Sequence, residues 1–225
     1  GFSDHSLGID AALVRAVPPG TDPATPAEGP GEQVPPRLLC VASITPRKGQ
    51  DVLVRALARL ADLSWTCVCA GSVTRSRTFA DIVKRQTYEA GLATRIKFVG
   101  ECSADIVDEL YATSSLFVLP SYYEGYGMVL TEALARGLPV ISTTGGAIPY
   151  TVPDDVGILV APGDDVALAD AIRDVLSDSH AGTSCRTRRE NLASASRRYA
   201  SCLPDWDEAT DTFSGAVLAL VRQMK

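Results

Sequence analysis

Residues 115–143, "SLFVLPSYYEGYGMVLTEALARGLPVIST", decide the fold. A short apolar run, 115–120, stops at a proline. A turn broken by Gly125 and Gly127 follows, then a helical stretch, then a second apolar run at 139–143. Apolar runs of this length, bounded by turn signals, read as buried strands. Strand, helix and strand in succession make a βαβ unit with parallel strands. The same stretch poses a chemical question: Glu124 precedes the glycine turn, and Glu132 sits eight positions on, inside the helix.

The alternation extends both ways. Upstream, strands are expected at 37–43 ("RLLCVAS"), 65–71 ("WTCVCAG") and 96–100 ("IKFVG"). Helices are expected at 50–62, at 78–90 and from Ser103, a residue type suited to an N-cap. In the first of these, Val52, Leu53, Ala56, Leu57 and Leu60 share one face, and Arg55, Arg59 and Asp62 lie opposite. Downstream comes a strand at 157–162. The helix after it, 164–178, has an acidic first turn, as the macrodipole favours. Such alternation defines an α/β domain with a parallel sheet. Near-continuous apolar strands require helices on both faces. The expected architecture is therefore a doubly wound parallel sheet over 37–180, with ligand-binding loops at the carboxyl ends of the strands.

The flanks read differently. Residues 17–36 hold seven of the fourteen prolines, which fix φ and remove backbone donors. Residues 1–36 are accordingly expected to be an interdomain segment and proline-rich linker. Residues 181–225 are expected to form C-terminal helices. The last opens with Asp205 and Glu208 at capping-box spacing. It carries Trp206, Ala209, Phe213, Val217 and Leu220 at helical intervals, and Trp206 and Phe213 are expected to pack on the α/β body.

Composition narrows the function classes. The chain has 225 residues, 46% hydrophobic and 21% charged, as ordinary globular proteins do. A net charge of −6 offers no general attraction to nucleic acid or anionic lipid. No apolar run reaches the ~20 residues needed to span a bilayer. The opening "GFSDHSLGID" lacks the basic start and apolar centre of a signal peptide. The six cysteines form no CxxC pair, and Cys40, Cys67 and Cys69 lie in apolar runs. They read as reduced thiols of a cytoplasmic protein. His5 and His180 stand without metal-ligand spacing and read as surface residues.

Two loops carry the chemistry. In "SITPRKGQD" (43–51), Arg47 and Lys48 stand just before a helix. Cations there oppose the macrodipole, but with the free N–H groups they make an anion site suited to phosphate. A solvated basic turn is the alternative. In "YYEGYG" (122–127), two glycines let backbone amides approach a ligand. A dinucleotide fingerprint does not fit: Leu130 stands where its third glycine belongs, and "VISTTGG" lacks the terminal acid. No P-loop is present. Glu124 can accept from hydroxyls held over the amides. Glu132 leans toward its helix N-terminus, where it can accept a ribose diol; a solvated helix acid is the alternative. Two diol-binding carboxylates flanking a phosphate site describe a nucleotide sugar.

The segment "YYEGYGMVLTEALARGLPVIST" resembles the E-x7-E signature of retaining glycosyltransferases of the family 4 (group 1) type, which have the GT-B fold. "VASITPRKGQDVLVRAL", "IKFVG…DELYATSSLFVLPSYYEG", "GILVAPGDDVALADAI" and "VPPGTDP" follow that family in order, over most of 13–180. The resemblance implies the C-terminal, donor-binding domain. Lys48 would neutralise the diphosphate leaving group. Glu124 would hold the donor sugar, with the amides of Gly125, Tyr126 and Gly127. Glu132 would hold the ribose, and Gly71, Val99 and Gly100 would lie near the base. No cofactor and no metal is implied; the nucleoside diphosphate sugar is a substrate.

The chain departs from the family at two places. Ala42 and Ser43 replace its Gly-Arg, leaving Arg47 as the substitute second cation, and Tyr150 stands where an acid is common. The resemblance also implies an N-terminal acceptor domain, absent from this chain, toward which the 206–222 helix would return. The donor face should then be open, with Lys48, Glu124 and Glu132 lining one groove. A non-catalytic nucleotide-sugar-binding module is the alternative function. A GT-B epimerase is a third, whose extra catalytic acids and histidine are not evident.

Overall fold

The computed structural model describes residues 15–31, 34–177 and 187–223. His5, His180 and Cys185 lie outside them. The chain divides into two compact units: Ala24–Ser201, and Gly1–Pro23 with Cys202–Lys225.

The larger unit is built on β1 (Arg37–Val41), β2 (Thr66–Ala70), β3 (Ile96–Gly100), β4 (Leu116–Leu119), β5 (Val140–Thr143) and β6 (Gly157–Val160). The strands form one sheet in the order β3-β2-β1-β4-β5-β6, and every pairing is parallel. Its helices are α1 (Gln50–Ala58), α2 (Arg77–Glu89), α3 (Ala104–Ala112), α4 (Met128–Ala135), α5 (Ile148–Thr151), α6 (Asp165–Ser177) and α7 (Arg188–Ala200). The expected α/β doubly wound sheet is thus the observed fold. β4 and β5 are buried at every position, whereas the edge strand β3 alternates, leaving Lys97 and Val99 exposed. Central strands are covered on both faces and an edge strand need not be, which is why β4 and β5 are buried throughout and β3 is not.

The order reverses after β3. The chain climbs β1 to β2 to β3, crosses back through α3, and resumes with β4 on the other side of β1. The point of reversal lies between β1 and β4, and at the carboxyl ends of such sheets this is where ligand-binding loops are expected.

Local details depart from the expected pattern. Helix α1 ends at Ala58, four residues before 62, because the chain turns there and the Trp65 indole donates to Leu60 O at 2.7 Å. Ser103 holds the N-cap position of α3 in extended conformation, but its hydroxyl makes no capping bond. The acidic start of α6 is partly spent elsewhere: Asp164 accepts from the Ala167 amide at 2.9 Å, while Asp165 pairs with Arg55 and Arg59. Thr187 and Glu190 complete a capping box on α7 that the sequence reading did not include.

In the smaller unit, α8 (Trp206–Gln223) begins as expected: the Glu208 amide donates to Asp205 Oδ1 at 2.8 Å. The Thr21 amide donates to Pro204 O at 2.8 Å, which ties Thr21 to the chain just before this helix. Within this unit Trp206 and Phe213 are 47% and 61% exposed, and Ala209 is a buried apolar residue of the stripe. Among the described residues, no helix is long and apolar enough to cross a membrane.

Candidate functional site

The loop after β1 contains a 3-10 turn, Pro46–Lys48, ended by Gly49, which is also the N-cap of α1. Gly49 has φ 68°, and a Cβ there would overlap the Pro120 carbonyl at the end of β4. The glycine thus seats the β1 loop directly on the β4 loop. The Tyr122 amide donates to Arg47 O at 2.8 Å, and the Arg47 guanidinium donates to Tyr123 O at 2.6 Å.

Where the loops meet, the Lys48 ammonium donates to Glu124 Oε1 at 2.5 Å. Arg47 reaches Glu124 Oε2 at 3.3 Å, and the Ser121 hydroxyl donates to Oε1 at 2.6 Å. Glu124 is buried. Burial by itself pushes its pKa up. The Lys48 and Ser121 hydrogen bonds, with the charges of Lys48 and Arg47, outweigh that and hold it below the usual 4.5. Glu124 is thus a fixed carboxylate at neutral pH.

The Glu124 backbone is braced by the loop after β5. Its amide donates to Gly145 O at 3.4 Å, and its carbonyl accepts from the Ala147 amide at 2.8 Å. Cβ atoms at Gly145 and Gly146 would overlap the carbonyl oxygens of Tyr122 and Glu124. "TTGG" at 143–146 is therefore a support for the acid. The Thr143 hydroxyl adds a 2.5 Å bond to Ser121 O.

Glu132 lies in the second turn of α4 and is half-buried. Its Oε2 accepts from the Tyr111 hydroxyl of α3 at 3.0 Å; that hydroxyl also lies 3.2 Å from Val129 O. The Arg136 guanidinium covers the Tyr111 ring at 4.6 Å and pairs with Asp108. The alternative of a freely solvated helix acid does not describe this carboxylate. It shares no hydrogen bond or ion pair with Lys48 or Glu124. The structure thus brings Lys48, Arg47 and Glu124 into contact and holds Glu132 from a different helix. Lys48 and Glu124 cover each other, with side chains only 16% and 7% exposed, so they do not line an open groove as free charges.

Gly127 is the N-cap of α4, and the Tyr126 carbonyl accepts from the Thr151 hydroxyl at 2.6 Å. Gly71 and Gly100 meet at the ends of β2 and β3, where the Gly71 amide donates to Gly100 O at 2.7 Å. Ser43, in place of the expected arginine, uses its carbonyl to accept from the Gln50 side chain at 3.1 Å. Three contributors escaped the sequence reading: Ser121, Tyr111 and the Gly145–Gly146 pair. Among the described residues, no group of histidine, cysteine and acidic side chains could hold a metal ion.

This architecture has known counterparts. Residues 26–198 match the family described as glycosyl transferases group 1. The chain is 30% identical to the GDP-mannose-dependent alpha-(1-6)-phosphatidylinositol monomannoside mannosyltransferase of Mycobacterium tuberculosis, over 88% of this chain and 54% of that protein. Sucrose-phosphate synthase from Thermosynechococcus elongatus superposes with a TM-score of 0.79 at 27% identity, over 93% of this chain and 53% of that one. The C-terminal domain of a group 1 glycosyl transferase, LpcC of Francisella tularensis, matches with a TM-score of 0.69 at 26% identity. There the match covers 81% of this chain and 96% of that domain. The chain belongs to the group 1 glycosyl transferases, and its sheet is the Rossmann-like C-terminal half of their GT-B fold. It spans about half the length of the curated relatives it matches.

Proposed function

We propose that this chain is the donor-binding half of a retaining glycosyltransferase, taking a sugar from a nucleoside diphosphate sugar to an acceptor bound by a partner N-terminal domain. The observation that carries the reading is the Lys48–Glu124 ion pair at the β1/β4 reversal, with Arg47 alongside. Lys48, beside the first free amides of α1, supplies positive charge for the diphosphate and for the leaving group as the glycosidic bond breaks. Arg47, on the same carboxylate, supplies the second cation in place of the residue at Ser43. Glu124, held ionised, accepts from the donor sugar's hydroxyls over the amides of Gly125, Tyr126 and Gly127. Glu132 accepts from the ribose, and Tyr111 sets its rotamer. Charge neutralisation by Lys48, Arg47 and the helix N-terminus makes a metal or other cofactor unnecessary in this reading.

A cytoplasmic location is part of the same reading: Cys40, Cys67 and Cys69 are buried free thiols, as a reducing compartment keeps them. Calorimetric titration of this chain with nucleosides, nucleoside diphosphates and their sugars tests it. Diphosphates are expected to bind well above the matching nucleosides, with no sugar transfer until an acceptor domain is added. Equal affinity for nucleoside and diphosphate overturns the Lys48 role. Binding that yields no transfer with the acceptor domain present favours a non-catalytic binding module.

A further inference from the structure

Among the described residues, the Lys48 ammonium donates to Glu124 Oε1 and to no other group. Glu124 is better provided. The Ser121 hydroxyl, fully buried in the same loop, also donates to Oε1, and Arg47 donates to Oε2. Little of the Lys48 or Glu124 side chain meets water. The proposed function assigns Lys48 to the diphosphate and Glu124 to the sugar, on opposite sides of the bond that breaks. Without a ligand, these two groups are engaged with each other. A ligand that takes the lysine must part it from the carboxylate.

Donor and product differ in what they offer in exchange. A free nucleoside diphosphate draws Lys48 away and brings Glu124 only another anion. That leaves a buried carboxylate without its lysine and beside a like charge, the costly arrangement for such a pair. A nucleoside diphosphate sugar also draws Lys48 away, but its hydroxyls donate to Glu124 in return, and its esterified phosphate carries less negative charge. We infer that Glu124 guards Lys48: the pair yields to a nucleoside diphosphate that bears a sugar and resists one that has lost it, so that the site favours donor over product. The inference rests on the proposed donor-binding function and adds how that site tells the two ligands apart. It gives Glu124 a role that operates when no sugar is present, through the lysine it holds. Selectivity of this kind comes from a penalty on the wrong ligand as much as from contacts to the right one.

The test is calorimetric titration with GDP, UDP, guanosine, uridine, GDP-mannose and UDP-glucose. It is run on wild type, Glu124→Gln, Glu124→Asp and the double variant Glu124→Gln with Lys48→Ala. Glu124→Gln should bind the nucleoside diphosphate about tenfold more tightly than wild type, because Lys48 is no longer engaged. The nucleoside should bind unchanged, and the sugar conjugate should gain less than the diphosphate. Glu124→Asp keeps the charge but draws it back by one methylene. It should show a smaller gain of the same sign, and it supplies the reading if Glu124→Gln does not fold. The gain should vanish in the double variant. A carboxylate that only holds the sugar leaves diphosphate affinity unchanged in Glu124→Gln. One that only supports the fold weakens nucleoside and diphosphate together. Either result overturns the guard and leaves the donor site standing, as does a gain that persists without Lys48. Failure of every nucleotide to bind wild type or any variant overturns the donor site itself, and the guard with it.

Discussion

At the carboxyl ends of β1 and β4, a lysine meets a glutamate with both side chains largely out of water. On the α1–α6 flank, Arg55 and Arg59 meet Asp165 with the arginines 40% and 53% exposed. The chemical groups are nearly the same; the surroundings are not. On the flank, water and salt screen the charges, and side-chain entropy offsets most of what remains. In the loop, burial raises the cost of each charge and strengthens their mutual attraction. A pair of that kind is a poor way to gain net stability, because two apolar side chains would serve as well. Its presence where the β1 and β4 loops meet is explained by what it keeps in place: a lysine and an ionised carboxylate at the proposed donor site.

The comparison can be broken by mutation. Lys48→Ala leaves Glu124 buried without its main partner and should cost about 3 kcal/mol of stability. It should also reduce diphosphate binding far more than nucleoside binding. Chemical denaturation and calorimetry read the two effects separately. Adding Glu124→Gln to Lys48→Ala should return part of the stability but none of the diphosphate affinity. If Lys48→Ala alone is as stable as wild type, the loop pair is no different from the flank pair.

Glu132→Ala should weaken GDP or UDP binding by about 1.5–3 kcal/mol, the range for a hydrogen bond to a charged group. The Tyr111 hydroxyl also lies near Val129 O, so the fold should survive. Unchanged affinity in a folded variant would reduce Glu132 to a partner of Tyr111 alone.

Acid sharpens the contrast further. The Glu124 pKa is held below 4.5 by its partners, so its contribution is fully present above the unfolded value. It is lost as pH falls through the lower folded value. Stability measured from pH 6 downward should therefore fall less steeply in Glu124→Gln than in wild type. The same slope in both would mean that Glu124 is not ion-paired in solution. The smallest effect is expected on the flank: Asp165→Asn should shift stability by about 0.5 kcal/mol or less, and less still in high salt.

The positions of the two loops were legible in the sequence because they depend on residue type and local order. "PRKG" before a helix, and a glycine turn after an apolar run, signal an anion site and a close backbone approach without any knowledge of neighbours. The acid eight residues beyond Glu124 was equally visible. The stripe of α8 was not legible in the same way. Helical spacing of Trp206, Phe213 and Val217 says that they share a face, but nothing in that spacing says what covers it.

The order of strands and helices, the parallel sheet and the positions of Lys48, Glu124 and Glu132 in or near its carboxyl-end loops were determined by the sequence alone, through hydrophobic period and turn chemistry. Only the tertiary structure decided that the chain reverses between β3 and β4. That reversal brings residues 76 positions apart into one ion pair. It also decided that Tyr111, rather than solvent, holds Glu132, and that Gly145 and Gly146 carry the backbone of Glu124. Local patterns report the conformation that a segment prefers for itself. Contacts across the sheet depend on which strands become neighbours, and that is settled by burial of the whole apolar surface at once.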